Sequence, residues 1–308
     1  MKIFLSTLNE SWVVDRFRKD WYLNNLEIST EKIKESDIIW IISPWVWRKI
    51  PKRQLNKKKV VCSIYHIDFS KFDEREKKEF YKRDKYVDIY HVISNKTRDQ
   101  LSQITDKEIY PIPFWVDQDI WTILDNKENI RKKYKIQEDE FLIGSFQRDT
   151  EGKDLKSPKL IKGPDIFLEI VKELKLQNPK VKVLLTGKRR DYLIKNFEEL
   201  SIPYIYLEMV DLNQVNELYN ILNLYIVSSR IEGGPQAIME CAITKTPIVS
   251  TDVGIATEVL SSESIYEDVN NFQNAKPNIL YAYKNSQKYT IPDGMKKYIE
   301  MFRLINES

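Results

Sequence analysis

The chain is poor in the residues that announce a site by themselves. Its 308 residues hold only two cysteines and two histidines. Cys62 and Cys241 lie far apart in apolar surroundings, which reads as buried free thiols in a reducing compartment rather than a disulfide. No His/Cys/Asp cluster has metal-ligand spacing, so no metal site is expected. Long apolar runs are missing as well. A spanning helix needs ~20 such residues, and the longest candidate, IIWIISPWVW from Ile38 to Trp47, is cut by Ser43-Pro44. The start, MKIFLSTLNE, reaches Asn9-Glu10 before a signal-peptide core can form. Nor does one charge dominate. Against 49 Lys plus Arg stand 46 Asp plus Glu, a formal net charge of +3, too little to argue for wholesale nucleic-acid binding. These absences point to a cytoplasmic protein without a nucleic-acid partner.

What the chain does have is core-forming material. It is 42% hydrophobic with 17 Tyr and seven Trp, far from the composition of a disordered chain, and it is long enough for two domains with separate cores. Short β-rich apolar runs alternate with helical patterns from end to end, which predicts α/β domains built on parallel sheets. The first series of strands is KIFLS (2–6), DIIWIIS (37–43), VVCSIY (60–65) and VDIYHVIS (87–94), with surface helices such as FDEREKKEFYKRD (72–84) between them. IYPIPFWVDQDIW (109–121), with two prolines and no clear period, reads as a crossing loop. A second series follows: FLIGSF (141–146), VKVLLTG (181–187), YIYLEMV (204–210), NLYIVSS (223–229) and TPIVST (246–251), with a helix GPDIFLEIVKEL (163–174) whose Pro164 suits a first turn. The expected division is a domain over 1–120, a second over 121–285 and a helical tail over 286–308.

In open α/β sheets, ligands bind beyond the carboxyl ends of the strands. NLYIVSSRIEGGPQAIMECA has that layout. A strand ends at Ser228-Ser229, a loop carries Glu232, and Gly233-Gly234-Pro235 opens a helix with Pro at its first position. Free N–H groups and the dipole's positive end at a helix start attract phosphate. Glu232 repels phosphate, but a carboxylate accepts hydrogen bonds from hydroxyls. Glu240 lies about 7–8 Å along the helix from Pro235 at ~1.5 Å per residue. Two hydroxyl-bearing groups flanking a diphosphate describe a nucleotide sugar. Arg148, after the first strand of this half, and Lys162, before the helix opened by Gly163-Pro164, supply cations; taken singly, each also reads as a solvated loop charge.

The segment SSRIEGGPQAIMECAITKTPIVSTDVGIATEVL resembles the signature of GT-B glycosyltransferases of the retaining, family-four (group 1) type. Their E-x7-E motif matches Glu232 and Glu240. IGSFQRDTEG…KLIKGPDIF resembles the family's donor-phosphate loop, and LLTGKRRDYL, with Gly187, its following strand and turn. The resemblance is strong from about residue 85 to 260 and weak before residue 60. It implies two Rossmann-like domains facing across a cleft, the N-terminal one reduced and the last helix crossing back to it. It also implies roles: Glu232 on donor-sugar hydroxyls, Glu240 on the ribose, and N–H groups near Gly233, Gly234 and Pro235 joining Arg148 and Lys162 on the diphosphate. Such enzymes move a hexose-like sugar to an acceptor hydroxyl without a metal or other cofactor. Cell-surface glycan or glycolipid synthesis is the expected setting. His66, after VVCSIY, matches a histidine that contacts the donor sugar in the family, although an ordinary loop position reads as well; His91, inside DIYHVIS, reads as a satisfied core histidine. Ser94 and Asn95 carry no specific signal.

Two features depart from the family. The residue after the E-x7-E helix is usually glycine, and here it is Lys245, so either the helix ends differently or Lys245 adopts a left-handed conformation. The glycine-rich acceptor loop is also missing, with LSTLNESWVVDRF in its place. PWVWRKIPKRQLNKKK (44–59) interleaves two tryptophans with basic residues, which suits either a solvated loop or peripheral contact with anionic lipid at the inner face of the membrane, and hence a glycan or lipid-linked acceptor. Two rival functions share much of this pattern: a nucleotide-sugar epimerase of the same fold, and a non-catalytic module binding nucleotide sugar or glycan. Donor sugar, base and acceptor are not legible in the chain.

Overall fold

A computed structural model describes residues 1–7, 13–152 and 154–307. It divides at Trp115–Val116 and again at Thr290–Ile291 into two units, each with its own sheet.

The first unit begins with β1 (Ile3–Leu5), α1 (Val13–Asn24), β2 (Ile38–Ile41), α2 (Lys52–Leu55), β3 (Lys59–Ile64), α3 (Glu74–Asp84), β4 (Ile89–Val92), α4 (Asn95–Leu101) and β5 (Ile109–Pro111). Its five strands are parallel and lie in chain order. All four residues of β2 and of β4 are buried, as a parallel sheet covered on both faces requires. Helix starts are locally encoded. Asp73 accepts from Arg75 and Glu76 N–H to open α3, and Ser94 accepts from Thr97 N–H to open α4. The segment read as a crossing loop is partly a strand. Its first three residues pair with β4, Tyr90 opposite Ile109 and Val92 opposite Pro111. An edge strand tolerates Pro111 because its far side carries no ladder bond. Residues 8–12 of the glycine-free LSTLNESWVVDRF segment lie outside the described residues.

The second unit contains α5 (Lys127–Lys133), β6 (Phe141–Ser145), α6 (Pro164–Gln177), β7 (Val181–Thr186), α7 (Asp191–Glu199), β8 (Tyr204–Leu207), α8 (Leu212–Ile221), β9 (Leu224–Val227), α9 (Gln236–Ile243), β10 (Ile248–Thr251), α10 (Ala256–Val259), β11 (Ile265–Tyr266) and α11 (Ile279–Ser286). Its parallel strands run in the order β11-β10-β9-β6-β7-β8. The winding starts at β6, proceeds outward through β7 and β8, then returns to the other side of β6 with β9. The carboxyl ends of β6 and β9, paired through Ile143–Leu224 and Gly144–Tyr225, therefore form the topological switch point where such sheets open a crevice. The chain enters and leaves this unit side by side, with Val116 N–H donating to Tyr289 O at 2.8 Å.

The chain ends in α12 (Asp293–Glu307), which belongs to the first unit. Met295, Tyr298, Met301, Phe302 and Ile305 are buried at helical spacing. Tyr298 and Phe302 pack on Trp21 and Trp40, with Trp40–Phe302 centroids 5.2 Å apart. Beneath them His91 is fully buried and bonded at both nitrogens. Trp40 Nε1–H donates to Ser63 Oγ (2.8 Å), Ser63 lies 2.8 Å from His91 Nδ1, and His91 Nε2 lies 2.7 Å from Ile112 O. That chain assigns Nδ1 as acceptor and Nε2–H as donor. Tyr298 hydroxyl donates to the same carbonyl at 2.9 Å. Burial holds the imidazole neutral, pushing its pKa down to about 4. Cys62 and Cys241 are buried free thiols.

Candidate active site

The site grows from the loops that follow β6 and β9. After β6 the chain forms a short antiparallel ribbon, in which Thr150 pairs with Pro158, Glu151 N–H donates to Ser157 O, and Lys159 N–H donates to Asp149 O at 2.8 Å. A 3-10 turn over Leu160–Lys162 follows, and Gly163 (φ 61°) turns the chain into α6. A Cβ on Gly163 would stand 1.8 Å from Ser228 O, so the close approach of this turn to the end of β9 admits glycine alone. The contact is reinforced across the switch point. Arg230 and Ile231 N–H both donate to Ile161 O (2.9 and 3.1 Å). Gln147 bridges the two loops, donating to Lys162 O at 2.9 Å and accepting from Ser229 Oγ at 3.1 Å. Arg230 forms a two-pronged pair with Asp165 at 2.6 and 2.8 Å.

This framework brings Lys162 and Glu232 together as an ion pair, Nζ to Oε1, and Ser229 Oγ lies 3.4 Å from the same carboxylate oxygen. Both side chains are mostly buried, 21% and 13% exposed, where a charge needs its partner far more than on an open surface. Arg148 is exposed, but its flanking backbone is pinned. Asp149 pairs with buried Arg190 at 3.2 Å, and Arg190 Nη1–H donates to Gln147 O. Burial lifts the Asp149 carboxyl to about 6 even beside that guanidinium. Lys159, half-buried near Arg148, Lys162, Glu151 and Glu232, is pushed down to about 8, first by burial and then by the two neighbouring cations. Three cations and Glu232 therefore share one corner at the head of the β6–β9 crevice.

The Gly-Gly-Pro segment adds a helix end to that corner. Pro235 is the N-cap rather than the first helical residue: its ψ of 117° is not helical, α9 begins at Gln236, and no side chain caps it. Gly233 and Gly234 are backed by Gly254 (φ 51°), whose Cβ would fall 2.2 Å from Gly233 O. Glu240 is no solvated helix acid. It is 7% exposed and accepts from Tyr219 hydroxyl at 2.9 Å. Lys245 resolves the helix end. Lys245 N–H donates to Ala242 O and Thr246 N–H to Cys241 O, the Schellman pattern, with Lys245 at the left-handed position (φ 55°) and its ammonium 4.4 Å from the centre of the Tyr283 ring.

Two candidates stand apart. Gly187 follows β7 with φ 86°, yet a Cβ there would meet nothing closer than 3.7 Å, so its requirement is conformational. His66 is an exposed residue just after β3, in the first unit. Sequence reasoning missed Gln147, Asp149, Lys159, Arg190 and Gly254. The two glycine-dependent approaches and the Asp149–Arg190 pair are visible only after folding, whereas Lys159 lay in the quoted KLIKGPD stretch without a periodic or motif signal.

A six-stranded parallel sheet with cations, a glycine-lined helix start and Glu232 at its switch point, together with a second parallel-sheet α/β unit, has the GT-B glycosyltransferase architecture. Residues 126–298, more than half of the chain, match the family described as glycosyl transferases group 1, and the protein belongs to that family. Among solved structures, Anabaena Alr3699/HepE in complex with UDP and glucose is similar with a TM-score of 0.76 at 14% identity, covering 99% of this chain and 100% of that one. Sucrose-phosphate synthase from Thermosynechococcus elongatus gives 0.69 at 14% identity, covering 98% and 82%. A glycosyltransferase from Rickettsia africae ESF-5 gives 0.67 at 17%, covering 97% and 83%. At these identities the likeness is one of fold. No curated protein matches the chain significantly in sequence.

Proposed function

We propose that the protein is a retaining, metal-independent glycosyltransferase that moves a hexose-like sugar from a nucleoside diphosphate to an acceptor hydroxyl in cell-surface glycan or glycolipid synthesis. The observation that carries this reading is the Lys162–Glu232 pair placed with Arg148 and the uncapped start of α9 at the switch point. Arg148, Lys162 and the N–H groups around Gly233 and Gly234 hold the diphosphate and stabilise the charge that develops as it leaves, the role for which preorganised donors are most effective. Glu232 accepts from sugar hydroxyls and Glu240 from the ribose. Gly187 borders the donor, and His66 is assigned to donor-sugar contact on the family resemblance alone. The bond from the anomeric carbon to the diphosphate breaks while a bond to the acceptor oxygen forms on the same face. The acceptor proton passes to the departing phosphate oxygen.

The donor partner is supported by the complexes in which HepE holds UDP, UDP with glucose, and UDP-glucose. For the acceptor, the reading includes peripheral contact with anionic lipid through residues 44–59. Trp47 is tucked into the core, while Trp45 is 48% exposed. Two surface pockets are rimmed by Arg48, Lys52, Lys82 and Lys85 and by Lys34, Arg53, Lys57 and Lys58. No helix among the described residues is long and apolar enough to cross a membrane.

The test is a thermal-shift screen with UDP-, GDP- and ADP-sugars, followed by NMR of the stabilising donor with acceptors on anionic or neutral vesicles. Release of sugar with its anomeric configuration retained, lost in Glu232→Ala and raised by anionic vesicles, is expected. Epimerised donor formed without acceptor, or binding with no sugar release, would sink the transferase reading.

A further inference from the structure

The corner that gathers Arg148 and Lys162 contains one more cation, which no role above uses. Lys159 is fixed by its own backbone: its N–H donates to Asp149 O at 2.8 Å, next to Arg148, and its carbonyl accepts from Lys162 N–H at 2.8 Å. The ribbon therefore fixes its backbone opposite Asp149, one residue from Arg148, and one 3-10 turn separates it from Lys162. The groups acting on it are Arg148 and Glu151 from the ribbon, Lys162 from the turn and Glu232 from the loop after β9. Glu232 is already engaged with Lys162. An ammonium half-buried beside two cations is short of negative charge, and an incoming diphosphate supplies it.

We propose that Lys159 is a third cation of the diphosphate seat, held there by the ribbon and the 3-10 turn that leads to Lys162. The proposal rests on the donor reading given above and adds a residue to it. Burial and the two like charges oppose the ammonium and hold its pKa down to about 8. A bound diphosphate reverses the local sign of charge and raises the lysine's affinity for its proton. The amine then takes that proton from solvent, with no covalent step. Affinity for the nucleoside diphosphate accordingly falls as pH rises above about 8.

Isothermal titration of the whole protein with UDP, GDP and ADP at pH 8, in two buffers of different ionisation enthalpy, reads both quantities at once. Wild type should take up roughly half a proton per nucleotide bound. Lys159→Gln should bind about tenfold more weakly with the uptake abolished. Lys159→Arg, charged at every accessible pH, should keep affinity and lose the uptake, a result that a merely structural lysine would not give. Wild-type affinity in Lys159→Gln, or uptake persisting in Lys159→Arg, would overturn the role of Lys159 and leave the donor reading standing. If wild type binds none of the three nucleotides, the donor reading fails and the proposal with it.

Discussion

Glu232 has two claims on it, and they conflict. Its carboxylate neutralises Lys162; with donor present it is proposed to accept from sugar hydroxyls while Lys162 turns to phosphate. The pair therefore competes with UDP, which has no sugar for Glu232 to recognise. Glu232→Gln should bind UDP several-fold more tightly, because Lys162 is freed, while sugar transfer falls on the order of 10²-fold or more. Parallel loss of UDP binding and turnover in this variant would contradict the assignment. Calorimetry and initial rates on the same preparation separate the outcomes. Neither half of this was legible in EGGPQAIME alone, because the lysine that partners Glu232 comes from 70 residues upstream.

At the scale of elements, the end of α9 shows how magnitude decides between two effects. A non-glycine residue at the left-handed position of a Schellman cap is strained by roughly 1–2 kcal/mol, whereas an exposed cation over an aromatic ring returns about 0.5–1 kcal/mol. Lys245 over Tyr283 thus offsets only part of its strain. Lys245→Gly should raise stability by about 0.5 kcal/mol in denaturant unfolding, and a clear loss would mean that the Tyr283 contact outweighs the backbone. The strands show the converse, a case where local sequence suffices. Runs such as DIIWIIS and VVCSIY are apolar at most positions because both faces of their sheet are covered. β5 and β11 escaped that reading: three and two residues long, they are set by pairing with a neighbour rather than by any pattern of their own.

For the whole molecule, the long return of the chain matters most. The core of the first unit is incomplete until α12, some 180 residues after β5, lays Tyr298 and Phe302 over Trp21, Trp40 and His91. His91 makes that core sensitive to acid. Its pKa is about 4 folded against 6.5 unfolded, so between those values the unfolded chain binds more protons. The contribution is fully present above pH 6.5 and is lost as pH falls to 4, by about 3 kcal/mol. Asp149, lifted to about 6 in the second unit, acts in the opposite sense between pH 6 and 4. The check is therefore the difference between wild type and His91→Asn in urea unfolding followed by tryptophan fluorescence, which should shrink across pH 6.5 to 4. A pH-independent difference would refute the neutral, buried imidazole.

The sequence by itself determined the two series of parallel strands, the helix starts at Asp73 and Ser94, and the chemistry on offer in Glu232, Glu240, Arg148 and Lys162. Those properties reside in side-chain type and near-neighbour spacing, which folding preserves. Only the tertiary structure decided which charges meet. It set Glu232 on Lys162, Glu240 on Tyr219, Asp149 on Arg190 and Lys159 between two cations. It also revealed that Gly163 and Gly254 are demanded by carbonyls from elsewhere in the chain. Coulomb energy and steric contact depend on distance in space, and the switch point between β6 and β9 makes neighbours of loops that are about 70 residues apart.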